Sequence, residues 1–185
     1  SRILKKKLIS IAYGNDFLVN NPLSLKTFYF RNLNKIVVIT SEMKKLIKNI
    51  HHLDDKQVHI IRVGVNLEDL EVEQSKEDLR KEYNIPKDQY VLLSVGRHVH
   101  RKKFDLVIKA IKEIKELNPN INIKYYLIGE GKVTPYLKKL AKSLNLENEV
   151  EFLGLCSLGK RNKYYKLSDL FLMPSITESN NIEAF

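Results

Sequence analysis

The feature that most restricts how this chain can fold is the stretch from Tyr90 to Leu117, where an apolar run, a glycine and a basic loop lead straight into an amphipathic helix. Val91-Leu92-Leu93-Ser94-Val95 ends at Gly96. A short apolar run bounded by glycine is the pattern of a strand buried on both faces, as parallel strands are. From Phe104 the period changes: Phe104, Val107, Ile108, Ile111, Ile114 and Leu117 share one helical face. Strand, turn and helix make half of a βαβ unit, and the turn carries Arg97, Arg101, Lys102 and Lys103.

In open α/β sheets, ligands gather outside the carboxyl ends of the strands, where helix N-termini present free N–H groups. Arg97 and Lys102 are expected at such a place. Arginine offers a planar fork to phosphate oxygens and lysine a mobile point charge. Each charge-assisted contact is worth about 1.5–3 kcal/mol net, so two suffice to orient a diphosphate. The local pattern alone fits a solvated basic loop equally well.

The same alternation runs along the whole chain. Strands are expected at 8–13, 36–39, 58–61, 121–128, 150–153 and 170–173 besides the central one. Helices are expected at 25–33, from the Thr40-Ser41 cap along Met43, Leu46, Ile47 and Ile50, from the Ser75 capping box to Tyr83, at 133–144 and at 158–168. Val133, Tyr136, Leu137, Leu140, Ala141 and Leu144 form one apolar side, with Pro135 in the first turn. Alternating strands and helices predict parallel sheets with right-handed crossovers, an α/β class of Rossmann-like domains. Residues 62–74 lose the period and gain Gly64, Asn66 and acidic side chains, the composition of a connection between two lobes. Opening almost at once on a buried-type strand, the chain reads as one that lacks its own N-terminus.

The formal net charge of +10 asks for an anionic partner: nucleotide, nucleic acid or an anionic membrane surface. Nucleic acid is the weakest of these, because no helix-turn-helix or RNP pattern is present and Tyr125-Tyr126 and Tyr164-Tyr165 fall in elements that need them for packing. A basic helix with Lys160, Arg161, Lys163 and Lys166 could touch anionic headgroups or simply be solvated. No apolar run has membrane-spanning length and Cys156 is the single cysteine, which leads to the expectation of a cytoplasmic protein, peripheral at most to the inner face of the plasma membrane. Cys156 reads as a small apolar core residue. His98 and His100 alternate without a carboxylate partner and read as surface loop residues, and no Asp-x-Asp supplies metal ligands, so no metal is expected.

Several segments, in order, resemble the family 4 glycosyltransferases of group 1 type. Ser94-Val95-Gly96-Arg97 with Arg101-Lys102, then Phe104-Asp105, Ile108 and Ala110, resembles the donor-phosphate loop; Ile128-Gly129-Glu130-Gly131 the glycine loop; and Val150 to Gly154 the next strand. Tyr165 with Asp169, Pro174-Ser175 and Thr177-Glu178 resembles the approach to the donor site, and Gly14-Asn15-Asp16, Ser41-Glu42 and Val63-Gly64-Val65-Asn66 fit upstream.

The resemblance implies the two-lobed GT-B fold, with residues 1–65 as the C-terminal part of the acceptor-side domain, 66–74 as the interdomain link and 75–185 as a nearly complete donor domain. It implies transfer of a hexose, with retention, from a nucleoside-diphosphate sugar of UDP or GDP type to a saccharide or lipid-linked acceptor, in cell-surface polysaccharide, lipopolysaccharide or glycolipid synthesis, with no other cofactor. The alternative is a non-catalytic nucleotide-sugar-binding module derived from that fold. The roles implied are diphosphate binding and leaving-group stabilisation for Arg97 and Lys102, a donor-sugar contact for Glu183, and pocket lining for Gly96, Gly129, Glu130, Gly131, Ser175, Thr177 and Glu178. The family pairs its first glutamate with a second, which would fall past Phe185, and the chain alone is expected to bind nucleotide weakly and turn over poorly. Lys103 and Ala184 stand where the family has glycines, and Tyr13 where it often has a histidine.

Overall fold

The structure, a computed structural model, describes residues 7–13, 17 and 24–176. The chain divides into two compact units, the first ending at Val65 and the second spanning Asn66–Ile176.

In the first unit three parallel strands, β1 (Ile9–Ala12), β2 (Lys35–Val38) and β3 (Val58–Ile60), lie in that order. Helix α1 (Leu25–Arg31) starts at Ser24, whose hydroxyl accepts from Thr27 N–H, and α2 (Ser41–His51) starts at Thr40, whose hydroxyl accepts from Met43 N–H at 3.1 Å. Short polar side chains at these positions satisfy N–H groups that the first helical turn leaves unpaired. Ile36, Val38, Met43, Ile47 and Val58 form the core, with Ala12 from β1. Only Ala12 of β1 is buried, while Ile9 and Ile11 are exposed. Among the described residues β1 stands at the edge of its sheet, and its side chains are less buried than the buried-type strand expected from the sequence.

The second unit holds β4 (Tyr90–Val95), β5 (Ile123–Ile128), β6 (Val150–Gly154) and β7 (Leu170–Phe171), all parallel and ordered β6-β5-β4-β7. Helices α4 (Phe104–Leu117) and α5 (Thr134–Ser143) cover one face, where Phe104, Ile108, Ile111, Leu137 and Ala141 meet Ile123, Tyr125 and Leu127. Helices α3 (Lys76–Glu82) and α6 (Leu158–Leu167) cover the other, where Leu79, Tyr164 and Leu167 meet Val91, Leu93, Tyr126 and Ile128. Successive strand residues point to opposite faces, so both faces must be apolar, and this explains the near-continuous hydrophobic runs. The helical period is less faithful at α5, where Tyr136 is exposed although it shares the apolar spacing.

Residues 66–74 pack with the second unit. Asn162 Nδ2 donates to the Asp69 carbonyl at 2.6 Å and Lys166 Nζ to the Val72 carbonyl at 2.7 Å. Lys163 pairs with Glu82 at 3.0 Å, so part of the basic face of α6 is spent on holding its neighbours. Two strands run from β4 to one side through α4 and α5, and α6 then carries the chain to β7 on the other side. This reversal makes β4 the topological switch point, where open α/β sheets leave a crevice between diverging loops.

Candidate functional site

The loops at the carboxyl ends of β4 and β5 are bonded together beyond the last strand residues. Gly96 N–H donates to the Ile128 carbonyl at 3.0 Å, His98 N–H to the Glu130 carbonyl at 3.0 Å, and Val133 N–H to the His98 carbonyl at 3.1 Å. This close approach needs glycine. Gly129 has φ +120°, and a Cβ there would fall 2.9 Å from the Gly96 carbonyl carbon and nearer still to its oxygen. A Cβ on Gly131 would meet the His98 backbone as closely. Main chain lies directly on main chain, so the two loops form one platform.

On this platform the basic loop makes a single 3₁₀ turn, His100–Lys102, before Lys103 turns the backbone into α4. Lys103 takes φ 51° and ψ 34°, a left-handed conformation that glycine adopts more readily. The Lys102 side chain folds back over Gly96, with its Cε 3.7 Å from where a Gly96 Cβ would stand, and its ammonium lies 3.6 Å from Met173 Sδ. Burial lowers the Lys102 pKa, and the charges of Arg101 and Arg97 lower it further. Arg97 is exposed on the same rim, near enough for its charge to be felt at Lys102. Arg97, Arg101 and Lys102 thus bring three positive charges to one rim.

The stretch after β7 closes the other side. Ile176 N–H donates to the Arg101 carbonyl at 2.8 Å, and Ser175 Oγ is buried with no partner among the described residues. Glu130 is exposed, with a carboxylate oxygen 3.1 Å from where a Cβ on Gly154 would stand, so its side chain lies over the end of β6. Gly96, Arg97, Lys102, Gly129, Glu130, Gly131 and Ser175 thus all lie at the carboxyl ends of β4, β5 and β7. Thr177, Glu178, Glu183 and Ala184, like Gly14-Asn15-Asp16, fall outside the described residues. Tyr13 follows β1 in the first unit and is exposed. No group of three or more His, Cys, Asp or Glu among the described residues could hold a metal ion. No helix among them is long and apolar enough to cross a membrane.

Two residues prove different from their sequence reading. His98 is fully buried rather than a surface loop residue: its ring packs edge-on against Phe104 and Phe152, and Nδ1 lies 2.8 Å from Thr134 Oγ1. Its place just after a strand and before a helix allowed either position, and the apolar neighbours that cover it come from elements distant in sequence. Asp169 lies at the start of β7, the opposite end of the sheet from the basic loop. It accepts from Val91 N–H at 2.7 Å and pairs with Lys76 at 2.6 Å, which makes it a staple for β4, β7 and α3. Tyr165, on α6, lies against Phe171 of β7 with the rings tilted and their centroids 5.5 Å apart.

Comparison with known proteins points one way. A sequence model of the glycosyl transferases of group 1 matches residues 75–185. An uncharacterized glycosyltransferase of Methanocaldococcus jannaschii is 30% identical over 196 residues, covering 95% of this chain and 46% of that protein. The alpha-monoglucosyldiacylglycerol synthase of Acholeplasma laidlawii is 25% identical over 158 residues, covering 83% and 39%. The crystal structure of Anabaena Alr3699/HepE in complex with UDP superposes with a TM-score of 0.71 at 16% identity, over 94% of this chain and 48% of that one. The chain spans less than half the length of these relatives. The parallel-sheet architecture expected from the sequence, of GT-B type, is the fold they share.

Proposed function

The chain belongs to the group 1 glycosyl transferases, and from that premise we propose that its second unit binds the diphosphate of a nucleoside-diphosphate sugar, with Arg97 and Lys102 as the two cations that hold it. The observation that carries this reading is the Lys102 ammonium folded over Gly96 at the switch point, within the field of Arg97. Gly96, Gly129 and Gly131 contribute backbone with no side chain of their own, and α4 begins two residues after Lys102 with the positive end of its dipole.

The chemistry follows from where charge develops. When the bond between the sugar's anomeric carbon and the diphosphate breaks, the diphosphate leaves with added negative charge, and fixed cations stabilise that state more than the ground state. Transfer of the hexose with retention to a saccharide or lipid-linked acceptor, in cell-surface polysaccharide or glycolipid synthesis, is the reading that the family supports. UDP in the structure of Anabaena Alr3699/HepE and the lipid product named for the Acholeplasma laidlawii relative are consistent with it. On this reading residues 1–65 belong to the acceptor-side domain and 75–185 to the donor domain. Gly96, Gly129, Glu130, Gly131, Ser175, Thr177 and Glu178 line the donor pocket, and Glu183 contacts the donor sugar. The site of action is the cytoplasm, with peripheral contact at an anionic membrane.

Isothermal titration of the chain with UDP, GDP and ADP tests the reading. Binding of UDP or GDP, weakened in Arg97→Ala and in Lys102→Ala, is expected. Absence of binding by all three nucleotides overturns it, and binding without any transfer by the full-length enzyme would favour a nucleotide-sugar-binding module instead.

A further inference from the structure

His98 is the one fully buried side chain of the basic loop, and the proposed donor site makes no direct use of it. A buried imidazole is an expensive way to fill apolar space, because each polar atom left without a partner costs about 1–3 kcal/mol. Nε2 is such an atom, with no hydrogen-bond partner among the described residues. A group of this kind calls for an explanation. Nδ1 supplies one. It lies 2.8 Å from Thr134 Oγ1 in the first turn of α5, and the same hydroxyl accepts from Gly131 N–H at 3.0 Å. The hydroxyl accepts from Gly131, and donation of its own proton to Nδ1 uses both capacities of the group, with the ring proton then on Nε2. The chain of bonds therefore runs from the glycine loop through Thr134 into the basic loop, one residue from Arg97.

The backbone repeats the link, through His98 N–H to the Glu130 carbonyl and Val133 N–H to the His98 carbonyl. These bonds fix the height of the loop over the sheet. The side chain adds a second tie to the α5 terminus, through the ring rather than the carbonyl. Phe104 and Phe152 hold the ring from α4 and β6, at centroid distances of 5.6 and 6.3 Å. Burial lowers the His98 pKa; the charge of Glu130 opposes this, and that of Lys138 adds to it. The ring is accordingly neutral at pH 7 and able to accept from Thr134.

We infer that His98, through Thr134, is a positioning residue that sets Arg97 and Lys102 at the spacing a diphosphate needs. The inference rests on the proposed donor site and adds a residue pair that does not touch the ligand. A leucine of similar size would fill the same space without the orphan nitrogen, so the histidine costs stability that its link to Thr134 has to justify. A merely structural histidine predicts that stability and binding fall together; a positioning one predicts that they separate.

The test is titration of the wild type, His98→Leu, Thr134→Val and Thr134→Ser with UDP and GDP, alongside thermal unfolding of each protein. Thr134→Val keeps the shape of the side chain and removes both hydrogen bonds, which covers the case in which His98→Leu fails to fold. The expected result is a melting temperature at or above that of the wild type for His98→Leu, a loss of nucleotide affinity of roughly tenfold in both His98→Leu and Thr134→Val, and affinity restored in Thr134→Ser. Affinity equal to that of the wild type in the first two variants overturns the inference and leaves the donor site standing. Affinity and melting temperature that fall in step in His98→Leu, or Thr134→Ser no better than Thr134→Val, also overturn it. A wild type that binds neither nucleotide overturns the donor site and the positioning role together.

Discussion

Gly129 lies against Gly96 so closely that its Cα hydrogen occupies space no Cβ could share, because a Cβ would stand 2.9 Å from the Gly96 carbonyl carbon. Together with φ +120° at Gly129, this makes Gly129→Ala strained twice over, by backbone conformation and by contact. The variant is expected to lose roughly 2–4 kcal/mol of stability. Gly96→Ala is the control. Its Cβ would meet Phe104 Cζ at 3.5 Å and Lys102 Cε at 3.7 Å, ordinary contacts, so it should stay within about 1 kcal/mol of the wild type. Urea unfolding of the two variants checks the contrast, and equal stabilities would contradict it.

Lys103 precedes α4 in a left-handed conformation, φ 51°, with no side-chain cap bond. A non-glycine residue there loses about 1–2 kcal/mol, partly offset by the unfolded-chain freedom that glycine adds. Lys103→Gly is therefore expected to stabilise the protein by roughly 0.5–1 kcal/mol. Thermal unfolding measures it, and a lower melting temperature would mean that the lysine side chain makes a compensating contact.

Asp169 is expected to behave as a structural acid. Burial alone would raise its pKa, but the hydrogen bonds from Lys76 and Val91 N–H and the charges of Lys76 and Arg80 outweigh burial and leave it lowered from 3.8. Because the folded value is the lower one, its contribution is present above the unfolded pKa and is lost as pH falls through the folded pKa. Asp169→Ala should cost about 1–2 kcal/mol at pH 7 and flatten the acid limb of stability against pH. Nucleotide affinity should not change, since the residue sits at the amino end of the sheet.

His98 adds to the same acid-side loss, at higher pH. Its folded pKa lies below 6.5, chiefly through burial, so the unfolded chain takes up a proton that the folded one refuses. Stability is then expected to decline as pH falls below about 6.5 and to stop declining once the folded pKa is passed. His98→Leu should reduce this slope, leaving the share of His51, whose pKa burial also lowers. Urea midpoints between pH 7 and pH 5 provide the check, and an unchanged slope in the variant would contradict a neutral buried imidazole.

Much of this architecture is legible in the residues. The Val91 to Val95 run, the helical spacing from Phe104 and the caps at Thr40 and Ser75 each state a local preference that packing does not override. What is not legible depends on partners remote in the chain. Ile9 and Ile11 look like core residues by alternation, but burial depends on what covers the strand. His98 looks polar and hence exposed, until Phe104 and Phe152 close over it. Asp169 belongs to a segment that resembles the approach to the donor site, yet strand register puts it beside Val91 at the far end of the sheet. Among the proposed site residues, Gly129 and Gly131 announce themselves as glycines in a short loop, whereas Thr134 gives no signal beyond a helix-start preference.

The central claim is that Arg97 and Lys102 together recognise a diphosphate, and the discrimination between nucleoside di- and monophosphates measures it most directly. Titrations of UDP against UMP, and of GDP against GMP, are to be compared for the wild type, Arg97→Ala, Lys102→Ala and the double variant. The account predicts that the wild type prefers the diphosphate, that each single variant loses roughly tenfold of that preference, as expected from about 1.5–3 kcal/mol per charge-assisted contact, and that the double variant binds the two nucleotides alike. A double variant that keeps the preference of the wild type would contradict the account.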